Sequence, residues 1–182
     1  MPNEQTERVR DAAAPPLPPS ARIQELLFDA ARLGRIDVLP ALLIAGADIE
    51  ARDPRGHTPL ILASYNGQEA ATALLLARGA DVNAADAARG NTALMGVAFK
   101  GHDAIAALLL EGGAEVDRTN HAGQTALMMA ALFDHGAIVD RLLAKGAEPQ
   151  ARDVAGNSAL SVAAAQGNEA MMARLNGRSL QP

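Results

Sequence analysis

The four histidines, His57, His102, His121 and His135, are the first residues to test for chemistry. Imidazole is a common metal ligand and titrates near neutrality. His102 and His135 stand 33 residues apart, at equivalent places in a repeating pattern. On successive stacked units they would lie about 10 Å apart, too far to share one ion with bonds of about 2.0–2.1 Å. The chain has no HExxH string and no cysteine, so thiolate metal sites, disulfides and a cysteine nucleophile are excluded. The acids Asp48, Asp81, Glu115 and Glu148 also recur. A carboxylate-pair hydrolase needs two carboxyls facing one cleft about 5–9.5 Å apart, which evenly spaced loop acids do not supply. They read as solvated structural acids. Ser64, Ser158, Ser161 and Ser179 lack a Gly-x-Ser-x-Gly context, and Gly112-Gly113 lacks the following Gly-Lys-Ser/Thr of a phosphate loop. Met95, Met128, Met129, Met171 and Met172 could in principle ligate copper or haem iron. Met95 and Met128, however, hold matching repeat positions, where methionine fills irregular gaps between packed units. The expectation is a protein without catalytic residues, metal or cofactor.

The same spacings define the elements that carry these residues. Thr58, Thr92, Thr125 and Ser158 are 34, 33 and 33 residues apart, each two residues beyond a turn glycine (Gly56, Gly90, Gly123, Gly156). Closing glycines Gly46, Gly79, Gly113 and Gly146 keep the period to within one residue, and the phrases ADIEARD, ADVNAAD, AEVDRTN and AEPQARD follow them. Each unit has one grammar. Thr58 is a helix cap, and Pro59 suits a first helical position because its missing N–H costs nothing there. Gly67 ends this helix; a second helix from Glu69 to about Arg78 stops at Gly79, and a loop from Asp81 to Gly90 projects before the next unit. No helix so short can bury its apolar face alone, so the units must stack into an array. Five helix pairs are expected at roughly 22–45, 58–78, 92–111, 125–145 and 158–175. Leu75, Leu109 and Leu142, at one position of the second helix, should be buried.

The ends of the array differ from its middle. The first unit lacks Thr-Pro-Leu and is read as helices Ile23–Arg32 and Asp37–Ala45, with Pro40 in the second's first turn. In the last unit Arg174 replaces Leu74 and Leu108, a charge suited to a face that no sixth unit covers. The domain therefore spans 20–176, with a flexible Pro-rich leader at 1–19 and a tail at 177–182. The formal charge of −5 gives no reason to expect a nucleic-acid or anionic-membrane partner, and no apolar run approaches the ~20 residues of a membrane span. The polar amino terminus does not have the form of an export signal, so a cytoplasmic protein, monomeric when unbound, is expected.

Residues 58–80, TPLILASYNGQEAATALLLARGA, resemble the ankyrin repeat, and the likeness covers roughly 20–176. It implies an all-α solenoid of stacked helix pairs with projecting hairpin-like loops, and protein binding through the concave face and loop tips. The stretch Gly90–His102 also resembles small bacterial ankyrin proteins, some encoded beside catalases. That implies an alternative: an accessory factor for a haem enzyme, in haem supply or oxidative-stress protection. Phe28, Ile61, Met95, Met128 and Ser161 replace the family histidine after Thr-Pro-Leu, so weaker hydrogen bonding between units is expected, with packing in its place. Asp134 replaces Gly67 and Gly101, so a differently bent loop is expected there.

Two variable positions at the end of each first helix should face the concave side: Tyr65 and Asn66, Phe99 and Lys100, Leu132 and Phe133, Ala165 and Gln166. Three of the chain's four aromatics, Tyr65, Phe99 and Phe133, fall here; the fourth is Phe28. Either these rings pack against the next loop as local core, or they form an exposed or half-exposed recognition patch. Arg52, Arg55, Arg89, His121 and Arg152 in the loops would frame that patch, and arginine pairs with a partner's carboxylate through two parallel hydrogen bonds. The loop Asp86–Gly90 is one residue longer than Asp53–Gly56, either by neutral drift or as a longer fingertip on a partner.

Overall fold

The computed structural model describes residues 18–177. Most of the leader expected at 1–19, and the tail beyond Gly177, lie outside the described residues. Among the described residues ten helices form five pairs: α1 Ser20–Leu33 with α2 Leu39–Ile44, α3 Pro59–Tyr65 with α4 Glu69–Ala77, α5 Ala93–Lys100 with α6 Asp103–Glu111, α7 Ala126–Leu132 with α8 Gly136–Ala144, and α9 Ala159–Ala165 with α10 Glu169–Leu175. The first helices stack as α1, α3, α5, α7 and α9, and α4, α6, α8 and α10 stack behind them. Among the described residues the sole β-type pairing is an isolated bridge between Ala85 and Thr92. The chain is an all-α solenoid.

The caps form as their residue types dictate. The hydroxyls of Thr58, Thr92, Thr125 and Ser158 accept the N–H groups of Ile61, Met95, Met128 and Ser161 at 3.2–3.4 Å. The first unit departs from expectation. α1 begins at Ser20 because the Pro19 carbonyl already accepts the N–H groups of Arg22 and Ile23. α2 begins only at Leu39, with Pro40 in its first turn and an Arg35–Asp37 ion pair in the loop before it. Leu75, Leu109 and Leu142 have no exposed surface. At the position of the missing family histidine, Ile61, Met95 and Met128 are buried, whereas Ser161 is exposed and closes a reciprocal cap with Ser158.

Hydrogen bonding between units is extensive, contrary to the expectation raised by the absent histidine, because other residues supply it. One ladder crosses the ends of the first helices. The carbonyls of Tyr65, Phe99 and Leu132 accept from His102 Nε2 (3.3 Å), His135 Nε2 (3.2 Å) and Gln166 Nε2 (2.9 Å) of the following unit. A second ladder follows the closing glycines. Side-chain oxygens of Glu50, Asn83 and Asp117 accept the N–H groups of Asp81, Glu115 and Glu148 of the following unit at 2.8–3.0 Å, and Gln24 makes the matching bond to the Asp48 N–H within the first unit at 2.8 Å. A third joins the loop tips through the backbone: Ala87 N–H to Gly56, His121 N–H to Arg89 and Val154 N–H to Ala122.

Two further expectations are corrected. Asp134 does not bend its loop differently. It adopts φ 58°, close to Gly67 at 74° and Gly101 at 79°, and its carboxylate accepts from Asn168 Nδ2 at 2.8 Å. Aspartate is among the few residue types that tolerate this left-handed region, because its short side chain can bond locally. Arg174 does not mark an uncovered face. It turns back to pair with Asp140 of the fourth unit, as Arg141 at the equivalent position pairs with Asp103 of the third at 2.6 Å.

Candidate functional site

The loops and the first helices enclose a groove of about 790 Å³ centred on the second and third units. Its apolar floor includes Ile61, Leu62, Met95 and Met129, and Tyr65 and Phe99 stand on it. Tyr65, Phe99 and Phe133 are 41%, 39% and 43% exposed, and neighbouring Leu132 is 40% exposed. The rings form a continuous row across three units. Tyr65 and Phe99 are near-parallel with centroids 6.3 Å apart, Phe99 and Phe133 meet edge to face at 4.5 Å, and Phe133 lies 6.5 Å from the His135 ring. Such pairs are worth about 0.5–1.5 kcal/mol beyond area burial, so the row holds itself together while keeping an open face. Lys100 Nζ lies 5.3 Å from the Tyr65 centroid, within reach of a cation–π attraction.

The structure divides the remaining expected site residues into two groups. Arg55, Asn66 and Arg89 line the groove with the rings. Asn66 is partly spent, since its amide donates to the Leu62 carbonyl of its own helix at 2.8 Å. Arg52 instead holds the Gly56 and Ala85 carbonyls, so it clasps two successive loops. Arg152 donates to the Gly156 carbonyl at 2.6 Å, and Gln166 belongs to the first ladder. His121 packs over Gly90, while its N–H bonds the Arg89 carbonyl. His102 and His135 lie over Gly67 and Gly101, which makes them parts of the inter-unit ladder.

Arg32 and Leu33 are absent from the residues expected at the site. They fill the same two variable positions in the first unit, found by carrying the 33-residue register one step back from Tyr65 and Asn66. Arg32 lines the groove, and Leu33 is 67% exposed.

Asp53 and Asp86 sit in the groove wall but serve the loops. Asp53 Oδ1 accepts the N–H groups of Arg55 and His57, both at 2.9 Å. Asp86 accepts those of Ala88, Arg89 and Asn91 at 2.6–3.0 Å. Burial pushes each carboxyl upward, yet the main-chain N–H bonds outweigh it and hold both below the ordinary carboxylate range. A carboxyl lowered in the folded state binds its proton less tightly than in the unfolded chain. Its contribution to stability is complete above its unfolded value of about 3.9 and is lost as pH falls through the folded one. Asn120 performs the same task in the fourth unit, accepting from Ala122 and Gln124 at 3.0 and 2.9 Å. Asp53→Asn should therefore fold, and its stability loss between about pH 6 and pH 3 should be smaller than that of the wild type. Urea midpoints at the two pH values check this; an equal loss would show that Asp53 does not contribute.

Among the described residues no group of three or more His, Asp or Glu side chains could hold a metal ion, and no helix is long and apolar enough to cross a membrane. A stack of helix pairs, joined loop to loop and carrying an open groove, is the architecture of a repeat scaffold. The family model for ankyrin repeats (3 copies) matches residues 27–120 and 95–177, and the chain belongs to the ankyrin-repeat family. Ankyrin-repeat domains are non-catalytic scaffolds. The chain is also similar to mitochondrial disaggregase from Bos taurus, at 40% identity over 60 residues, which cover 33% of this chain and 9% of that protein. The chain thus spans only about a tenth of that protein's length.

Proposed function

We propose that this protein is a binding scaffold that docks a protein partner along the groove between the loops and the first helices, acting as a monomer when unbound. The exposed ring row of Tyr65, Phe99 and Phe133 carries this reading. These are three of four aromatics in the whole chain, and each keeps about two-fifths of its surface in water although the core close by is dry. Helix formation does not require a ring there, since Ala165 fills the matching place in α9. A partner covering the row would remove apolar area at about 25 cal/mol per Å² before ordering costs are met. Phe99 touches both other rings and is the natural anchor. Phe99→Ala should leave the circular dichroism spectrum unchanged and weaken partner binding at least about tenfold, the scale of an interface hot spot. Proteins retained from a lysate by the wild type are compared with those retained by the variant. Equal retention by a folded variant would remove Phe99 as the anchor, and loss of the fold would make the row local core.

A further inference from the structure

We propose that the groove takes an acidic peptide segment with a bulky apolar side chain next to its carboxylates, an inference that rests on the groove being the docking surface. Three arginines and two aspartates line the groove, so its wall is net positive in a chain whose formal charge is −5. The charges facing outward are more one-sided than that count. Asp53 and Asp86 are 7% and 8% exposed, and Asp53 Oδ1 and both Asp86 oxygens are occupied by the main-chain N–H groups of their own loops. Arg32 is answered by Asp29 at 2.9 Å and lies 3.8 Å from Asp53. His57 Nδ1 lies 3.4 Å from Asp53 Oδ2. Arg55 and Arg89 are different. Both are exposed, both directly precede a turn glycine, and neither guanidinium has a hydrogen-bond or ion-pair partner among the described residues.

Alanines, Ala122 and Ala155, hold the corresponding places in the fourth and fifth units, so these two cations mark only the part of the array that borders the groove. Lys100 adds a third exposed charge beside the Tyr65 ring. A guanidinium fork binds a carboxylate through two parallel hydrogen bonds, and the adjacent ring row offers the apolar contact that a bare anion would leave unused. A long polyanion would meet the net negative remainder of the chain, which favours a short acidic segment of a protein over a nucleic acid.

The full-length protein is panned against a random-peptide library, and enriched peptides are measured by fluorescence anisotropy. The expected peptides join Asp or Glu to a neighbouring Leu, Phe or Trp. Their affinity should fall at least about tenfold in Arg55→Glu/Arg89→Glu, and also when salt rises from about 0.05 to 0.5 M. Circular dichroism checks the fold of the variant; if charge reversal unfolds it, Arg55→Gln/Arg89→Gln makes the same comparison by removing charge alone. Neutral or basic peptides that lose binding in Phe99→Ala would overturn the acidic class while keeping the groove as the docking surface. Peptides that bind Phe99→Ala and the arginine variants as well as they bind the wild type would overturn both. A single-stranded oligonucleotide bound more tightly than the acidic peptides, or a selection that enriches nothing, would also overturn the acidic class.

Discussion

Replacing Leu109 with alanine should cost about 2–5 kcal/mol, the range for truncating a fully packed leucine. Leu109 has no exposed surface, and its helix α6 contacts α5 within the unit and both α4 and α8 across unit boundaries. A cavity there weakens two interfaces at once. In an array whose stability is nearly a sum of unit and interface terms, the loss should spread into the second and fourth units. Leu108, one residue earlier and only half-buried, provides the control, since its truncation leaves a smaller void. Urea unfolding of both variants reads the difference. A change below about 0.5 kcal/mol for Leu109→Ala would contradict the packing described.

Most of the fold was legible because it is periodic. Helix caps and stop signals follow from a local residue choice made four times and the buried leucines from one made three times, and repetition separates such choices from accident. The first unit was read less well. Its α1 boundary depends on the Pro19 carbonyl and its α2 boundary on an Arg35–Asp37 pair, neither of which belongs to the repeated pattern. The inter-unit hydrogen bonds are hidden in the sequence for a different reason. No single residue type is their source: the fourth letter after the first three closing glycines (Glu50, Asn83, Asp117) supplies the acceptors of one inter-unit ladder. That letter varies in identity but keeps a side-chain oxygen, so the signal was chemical class at a fixed position. The groove was legible in part. Position in the register predicted where the rings stand, but it could not distinguish Arg55 and Arg89 from Arg52 and Arg152. The last two reach carbonyls of a loop, and such a bond depends on side-chain reach in three dimensions.

Gly101→Ala is expected to cost about 1.5–3.5 kcal/mol, well above an ordinary surface change. Two physical causes add. Gly101 closes α5 at φ 79°, where a residue with a Cβ is disfavoured by about 1–2 kcal/mol. The new methyl would also sit 2.6 Å from His135 Cε1 and 2.8 Å from Nδ1, so the ring must move. Moving it endangers the Nε2 bond to the Phe99 carbonyl, a net loss of about 0.5–1.5 kcal/mol. Gly146 separates the two causes, since it has φ 88° but open space around a built Cβ. Gly146→Ala should show the backbone cost alone. In a double-mutant cycle, Gly101→Ala combined with His135→Ala should be less damaging than the sum of the single changes, because the clash disappears with the ring. Strict additivity in urea unfolding would mean that His135 does not press on Gly101. The same ring stands 6.5 Å from Phe133, at the end of the aromatic row. Gly101→Ala should therefore also disturb the groove, and a glycine without any contact to a partner would then influence binding through the histidine stacked upon it.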